Sequence, residues 1–268
     1  MRRMTTDTPI LMYHSVSERA PRRFRRFSVT PRGFEQQLRH MRERGCTALT
    51  IGELMRLRAG RLENPPARPV VLTFDDGFAD FHEHAMPALA RYGMRATLYV
   101  TTGYVGRTSA WLQGIGAGHL PMLNWGQLAE LAQHGIEIGA HTASHPALDA
   151  LPRIEAAREI VVSKRTLEDK LGIAVDSFAY PFGYHSPGVR RAVREAGFGS
   201  ACAVGYRTSR PDENPFALSR HIACEQTQTV ALDALLGTRP TSMAVLRDRL
   251  RSAAWARLRH HVLGYNHA

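Results

Sequence analysis

Short apolar runs alternate with amphipathic stretches through most of the chain. Residues 9–13 form an apolar strand pattern, and Thr30-Pro31 opens a helix expected to run to about residue 44, with Thr30 as N-cap. Residues 46–49 give a short strand, and Thr50 caps a helix through about residue 59. Pro69-Val70-Val71-Leu72-Thr73-Phe74 is almost continuously apolar, which suits a strand buried on both faces. Further on, helices are expected over 79–92, 124–134 and 153–171, and from Ser186-Pro187 to Gly197. The helix over 153–171 places Ile154, Ala157, Val161, Leu167 and Leu171 on one side. Strands are expected over 96–101, 136–141, 177–181, 198–204 and 217–223. Such alternation points to a parallel sheet with crossover helices. Seven or eight mostly parallel strands around a single core predict a distorted (β/α) barrel. No Gly-x-Gly-x-x-Gly follows the first strand, which argues against an open dinucleotide-binding sheet.

Composition narrows the class. The 268 residues are 44% hydrophobic and 22% charged, enough to bury a core of one α/β barrel. No apolar run approaches the ~18 residues of a membrane span, and no apolar stretch follows the charged start, so no signal peptide is expected. Cys46, Cys202 and Cys224 are odd in number and form no Cys-x-x-Cys pair, which argues against a disulfide scaffold and fits a reducing compartment. The formal net charge is +11, and the excess sits in two arginine-rich regions, 19–44 and 239–268. No nucleic-acid motif accompanies it, so a solvated face is the simpler reading and no nucleic-acid partner is expected.

Candidate chemistry lies at the strand ends, where barrels place their sites. The buried run ends in Asp75-Asp76-Gly77, and adjacent carboxylates there are costly unless a cation or hydrogen bonds satisfy them. Residues 136–140 lead into His141-Thr142-Ala143-Ser144-His145, and a helical turn there would aim both imidazoles the same way. Alone, the aspartates would pass for a turn or cap and the histidines for structural residues. Together, two histidines and a carboxylate make a facial metal site with positions left for water and substrate. His14, after the first strand, becomes an acid–base candidate at the same face.

Thr73-Phe74-Asp75-Asp76-Gly77 together with His141-Thr142-Ala143-Ser144-His145 resembles the polysaccharide deacetylase family, the NodB-homology domain of carbohydrate esterase family 4. The likeness runs from about residue 9 to 223. It implies a distorted (β/α) barrel and hydrolysis of an N-acetyl group on a glycan. Asp75 then corresponds to the catalytic base, Asp76, His141 and His145 to metal ligands, and the Phe182 N–H to an oxyanion donor. Zn²⁺ suits that ligand set, and Co²⁺, Ni²⁺ or Fe²⁺ share the chemistry. Many members carry an arginine in a third motif. The matching stretch here, Ala179-Tyr180-Pro181-Phe182-Gly183, lacks it, and no residue takes over its job of orienting the base. The family's late Leu-x-His motif is also displaced: Leu218-Ser219-Arg220-His221 puts the histidine one residue on, which on a strand turns it to the opposite face.

Both departures, with Tyr13-His14-Ser15, resemble the branch of poly-N-acetylglucosamine deacetylases of biofilm exopolysaccharide, in which His14 would be the general acid. Two other readings stand beside this one: hydrolysis of a cyclic amide or imide on the same fold, and a non-catalytic glycan- or nucleic-acid-binding protein. The chain divides into a catalytic domain over 1–240 and a basic amphipathic segment over 241–268. In the latter, Leu246, Leu250, Trp255, Leu258 and Val262 lie among arginines, as in a helix packed on the barrel or lying on a membrane. The expected location is cytoplasmic, with peripheral contact to the inner membrane through the arginine-rich ends.

Overall fold

A computed structural model describes residues 7–227 and 229–237. The segment over 241–268 lies outside the described residues. The strands are β1 (Ile10–Tyr13), β2 (Ser15–Val16), β3 (Ser28–Val29), β4 (Thr47–Leu49), β5 (Pro69–Phe74), β6 (Thr97–Val100), β7 (Glu137–Ala140), β8 (Ser177–Ala179), β9 (Ser200–Cys202) and β10 (His221–Ile222). The α-helices are α1 (Pro31–Glu43), α2 (Ile51–Arg58), α3 (Met86–Tyr92), α4 (Trp125–Gln133), α5 (Arg153–Leu171), α6 (Pro187–Glu195) and α7 (Thr229–Gly237).

The main sheet is parallel and runs β10-β1-β5-β6-β7-β8-β9, with β4 on the first half of the β5 edge whose second half takes β6. Cys202 of β9 also bridges Leu218 in parallel, three residues before β10. The segment 218–222 therefore touches both ends of the sheet and closes a distorted (β/α) barrel, as the sequence pattern predicts. A separate parallel pair, β2 with β3, lies beside the end of β1 and is not legible in the pattern.

Strand alternation assigns the two faces. Leu11, Tyr13, Val70, Leu72 and Phe74 face the surrounding helices in one apolar cluster. Ile10, Val71, Tyr99, Ala179, Cys202 and Leu218 fill the barrel interior with Leu49, Ile51, Leu54 and Leu57. The last three belong to α2, whose start is bound to the first residues of two strands: the Ile51 N–H donates to Thr97 Oγ1 and the Gly52 N–H to Glu137 Oε2. Thus α2 plugs the N-terminal end of the barrel, leaving the C-terminal end as the mouth.

Local chemistry sets the boundaries. Thr30, Thr50, Asn124 and Ser186 each cap the helix that follows with a side-chain oxygen, and Thr50 with Glu53 forms a full capping box. Two expectations are corrected. Residues 79–92 are not one α-helix: a widened π turn, Phe81–Ala85, precedes α3, where Pro87 has no N–H to donate. Of the stripe expected on α5, Leu167 is buried and Ala157 and Leu171 pack half-buried on the core, but the buried residues also include Ala156, Ile160 and Ser163, and Ile154 is 84% exposed. That helix packs on β7 and α6, and the side facing them leaves Ile154 in its first turn outside the contact.

Candidate active site at the barrel mouth

The alternation that sorts the core also aims the site. Val71 and Thr73 face inward, so Asp75 emerges at the mouth on the same side. Alternation alone would turn Asp76 away. Its backbone is instead left-handed (φ 76°), followed by Gly77 at φ 90°, and both carboxylates stay buried. A non-glycine residue there costs on the order of 1–2 kcal/mol, strain typical of functional turns. Gly139 and His141 likewise continue an inward row on β7. His145 is not brought round by a helical turn, which corrects the expectation. Thr142 (φ 67°) and His145 (φ 63°) are both left-handed, and the Thr142 hydroxyl accepts the His145 N–H at 2.9 Å.

The result gathers Asp76, His141 and His145. One ligand atom from each lies within 4.8 Å of the others. Asp76 Oδ1 is 3.3 Å from His145 Nε2 and 3.6 Å from His141 Nε2, and it is buried without a hydrogen bond of ordinary geometry. His141 Nδ1 lies 2.8 Å from the Ala179 carbonyl oxygen, which leaves Nε2 toward the aspartate. Burial lowers the His141 imidazole to about 4, so it is neutral near pH 7, as a ligand must be. Burial pushes the Asp76 carboxyl up, but the hydrogen bond and charge of His145 and the charges of His14 and His141 bring it down to about 2. An unsatisfied buried oxygen facing two imidazoles fits a divalent ion, and two nitrogens with one oxygen suit Zn²⁺-like metals.

Asp75 has a different partner, one that the sequence reading missed. Arg220, fully buried, holds it with two parallel bonds, Nη1 to Oδ1 at 2.7 Å and Nη2 to Oδ2 at 2.8 Å. The same guanidinium donates to Thr73 Oγ1 and the Ala203 carbonyl, and lies 5.5 Å from the centre of the Tyr99 ring. Burial would raise the Asp75 carboxyl, but the charge and hydrogen bonds of Arg220, with the charge of His141, hold it below the ordinary value. A buried arginine thus reaches Asp75 from 145 residues further along the chain. Its signal was present in Leu218-Ser219-Arg220-His221: the shift that turns His221 outward turns Arg220 inward. His221 pairs with outward-facing Leu11, as that shift implies.

His14 continues the inward row of Ile10 and Met12, and the charges of Asp76 and Asp75 act on it. Burial nevertheless lowers its imidazole, and Nδ1 is buried without a hydrogen-bond partner. Phe182 is left-handed (φ 60°) and 52% exposed, with its ring 4.8 Å from that of His145. The neighbouring Gly183 and Tyr184 N–H groups are taken by the Tyr180 and Pro181 carbonyls. Trp111 stacks on His145 at 5.4 Å between ring centres.

Comparison with known proteins gives this mouth a family. The profile described as polysaccharide deacetylase matches residues 63–201. A poly-beta-1,6-N-acetyl-D-glucosamine N-deacetylase of Staphylococcus aureus is 22% identical over 204 residues, covering 72% of this chain and 67% of that protein. Among solved structures, the deacetylase PplD of Streptococcus pyogenes, in complex with acetate, superposes with a TM-score of 0.76 at 26% identity, covering 88% of this chain and 100% of that one. IcaB from Ammonifex degensii gives 0.73 at 26% identity, covering 87% and 97%. With just over half of its residues matched and the same fold in both structures, the chain belongs to the polysaccharide deacetylase family, whose members are metal-dependent enzymes.

Proposed function

We propose that the protein removes N-acetyl groups from an N-acetylglucosamine-type glycan. One observation carries this reading: the adjacent carboxylates Asp75 and Asp76 sit in different environments. Asp76 faces two imidazoles, whereas Asp75 is gripped by a guanidinium, so one suits ion binding and the other proton transfer. A divalent ion held by Asp76, His141 and His145 would act as a Lewis acid on the acetyl carbonyl and acidify water. Asp75 takes the proton from the attacking water, and Arg220 keeps that carboxylate ionised and correctly oriented. The Phe182 N–H donates to the carbonyl oxygen as charge develops on it. His14 returns a proton to the leaving nitrogen, without which the tetrahedral species would revert to amide. Burial lowers the His14 imidazole, and the negative charges of Asp76 and Asp75 offset part of that cost.

The similarity to a poly-N-acetylglucosamine deacetylase supports a β-linked N-acetylglucosamine polymer or its oligosaccharide or lipid-linked precursor as substrate, in the assembly of an exopolysaccharide. Zn²⁺ is the ion favoured by the donor set. Among the described residues no helix is long and apolar enough to cross a membrane. The arginine excess supports salt-sensitive contact with an anionic membrane surface.

Acetate release tests the reading. Purified protein stripped with a chelator and reloaded with Zn²⁺ or Co²⁺ is offered N-acetylglucosamine oligomers, O-acetylated glycans and cyclic ureides. Metal-restored release from the N-acetylated oligomers is expected. Turnover of the ureides alone would move the enzyme to cyclic amides, and metal-free glycan binding without turnover would make it a binding protein.

A further inference from the structure

Among the described residues no side chain is hydrogen-bonded to His14. Its Nδ1 is buried without a partner, and its nearest aromatic neighbour is Phe27, 5.1 Å away between ring centres. Its position therefore depends on its backbone, and the backbone just after it is tied down. Alternation along β1 turns His14 inward and Ser15 outward. Ser15 is 2% exposed, and its hydroxyl donates to Asp80 Oδ2 at 2.5 Å. Asp80 immediately precedes the π turn Phe81–Ala85, on the segment that leaves β5 after Asp75 and Asp76. One carboxylate thus links the strand end carrying the base and a ligand to the residue that follows the acid.

The link is not a cheap packing contact. Asp80 Oδ1 is buried without a hydrogen bond, and burial raises this carboxyl to about 6. The pairing of β2 with β3 needs only backbone groups, so it does not require an acid here.

We propose that Asp80 is a positioning residue: by clamping Ser15 it holds the His14 imidazole over the leaving nitrogen. This rests on the reading of His14 as general acid. A misplacement of about 1 Å costs on the order of 10²-fold in rate. The loss should fall on amides, whose nitrogen must be protonated, and spare activated esters, whose leaving group departs unaided.

The test uses the full, Zn²⁺-loaded chain with an N-acetylglucosamine oligomer and 4-nitrophenyl acetate as paired substrates. Asp80→Ala, Asp80→Asn, Ser15→Ala and His14→Ala are compared, each with its metal content measured. Expected is a fall in amide kcat of about 10- to 10²-fold for Asp80→Ala, with KM, ester hydrolysis and metal content retained. Asp80→Asn, which keeps an acceptor oxygen, should recover part of the rate. Ser15→Ala removes only one hydroxyl and should show a smaller loss of the same selectivity, and it serves in place of Asp80→Ala if that variant does not fold. Adding Asp80→Ala to His14→Ala should cost nothing further. Equal loss on amide and ester, or additive losses in the double variant, would overturn the proposal. If His14→Ala is amide-selective and the Asp80 and Ser15 variants are not, the clamp is refuted while the acid stands. If His14→Ala itself slows both substrates equally, the acid reading falls and takes the clamp with it.

Discussion

At the scale of single residues, the mouth of the barrel shows how neighbours in sequence acquire separate surroundings. Asp75 and Asp76 share burial, yet one is answered by Arg220 and the other by His141 and His145. Asp75→Asn should retain the bound metal and lose on the order of 10²–10⁴-fold in kcat, while Asp76→Asn should lose the metal itself; elemental analysis beside acetate release reads both. Reversal of the two patterns would exchange the roles. The Arg220 grip gives a directional test. Removing it leaves burial to raise the Asp75 carboxyl, so the acidic limb of the pH–rate profile should move to higher pH in Arg220→Lys and further in Arg220→Met. An unmoved limb would show that the guanidinium does not set the base. Arg220→Met also strands a buried charge and should destabilise the fold by about 3–5 kcal/mol, for which the lysine variant is the control.

Elements deliver these residues through close contacts in the barrel interior. On β7, Gly139 lies opposite Tyr99 of β6, whose ring fills the space where a side chain at 139 would go. A Cβ there would stand 2.5 Å from two ring carbons of Tyr99 and 2.8 Å from Ser177 Oγ, with stiff strand backbone around it. Tyr99 in turn lies beneath Arg220, and His141 is two residues beyond Gly139. Gly139→Ala should therefore destabilise the protein by about 1–3 kcal/mol and weaken metal binding although it touches no ligand. Urea denaturation and a metal titration check the two effects, and an alanine variant with unchanged metal affinity would show that β7 can yield without moving His141. The helix caps belong to the same scale and are legible in the chain, because Thr30, Thr50, Asn124 and Ser186 act on N–H groups three residues away.

For the whole molecule, buried histidines couple folding to pH. His221 lies on the helix-facing side of β10, and burial alone lowers it to about 4; burial and then the Arg190 charge lower His185 to about 4 as well. Both folded values lie below the ordinary 6.5, so the unfolded chain takes up protons first as the pH falls. Their stabilising contribution is complete above about pH 6.5 and is lost between there and pH 4. The urea midpoint should drop from pH 7 to pH 5, and His221→Gln should reduce that drop by about 1–2 kcal/mol, with activity at pH 7 retained because the ring points away from the mouth. An identical drop in the variant would remove His221 from the account.

The alternation of apolar runs with capped, amphipathic stretches was sufficient to specify the parallel barrel. The two motifs at its strand ends were sufficient to single out Asp75, Asp76, His141 and His145 as candidates, and the structure brings the last three together. Both depend on contacts a few residues apart and on a period of two along each strand, and a linear pattern records such short-range order. The same period, applied to Leu218-Ser219-Arg220-His221, already turns His221 away, but it cannot say what an inward Arg220 would meet. That partner, Asp75, is 145 residues away and is reached only when the segment 218–222 closes the barrel against β9 and β1. The left-handed turns at Asp76, Thr142 and His145 escaped for a related reason: these residues disfavour that conformation, and only the surrounding tertiary structure imposes it. The tie from Asp80 to Ser15 and the true inward face of α5 are likewise tertiary. In each case the deciding energy is an interaction with an element distant in the chain, which the local sequence does not encode.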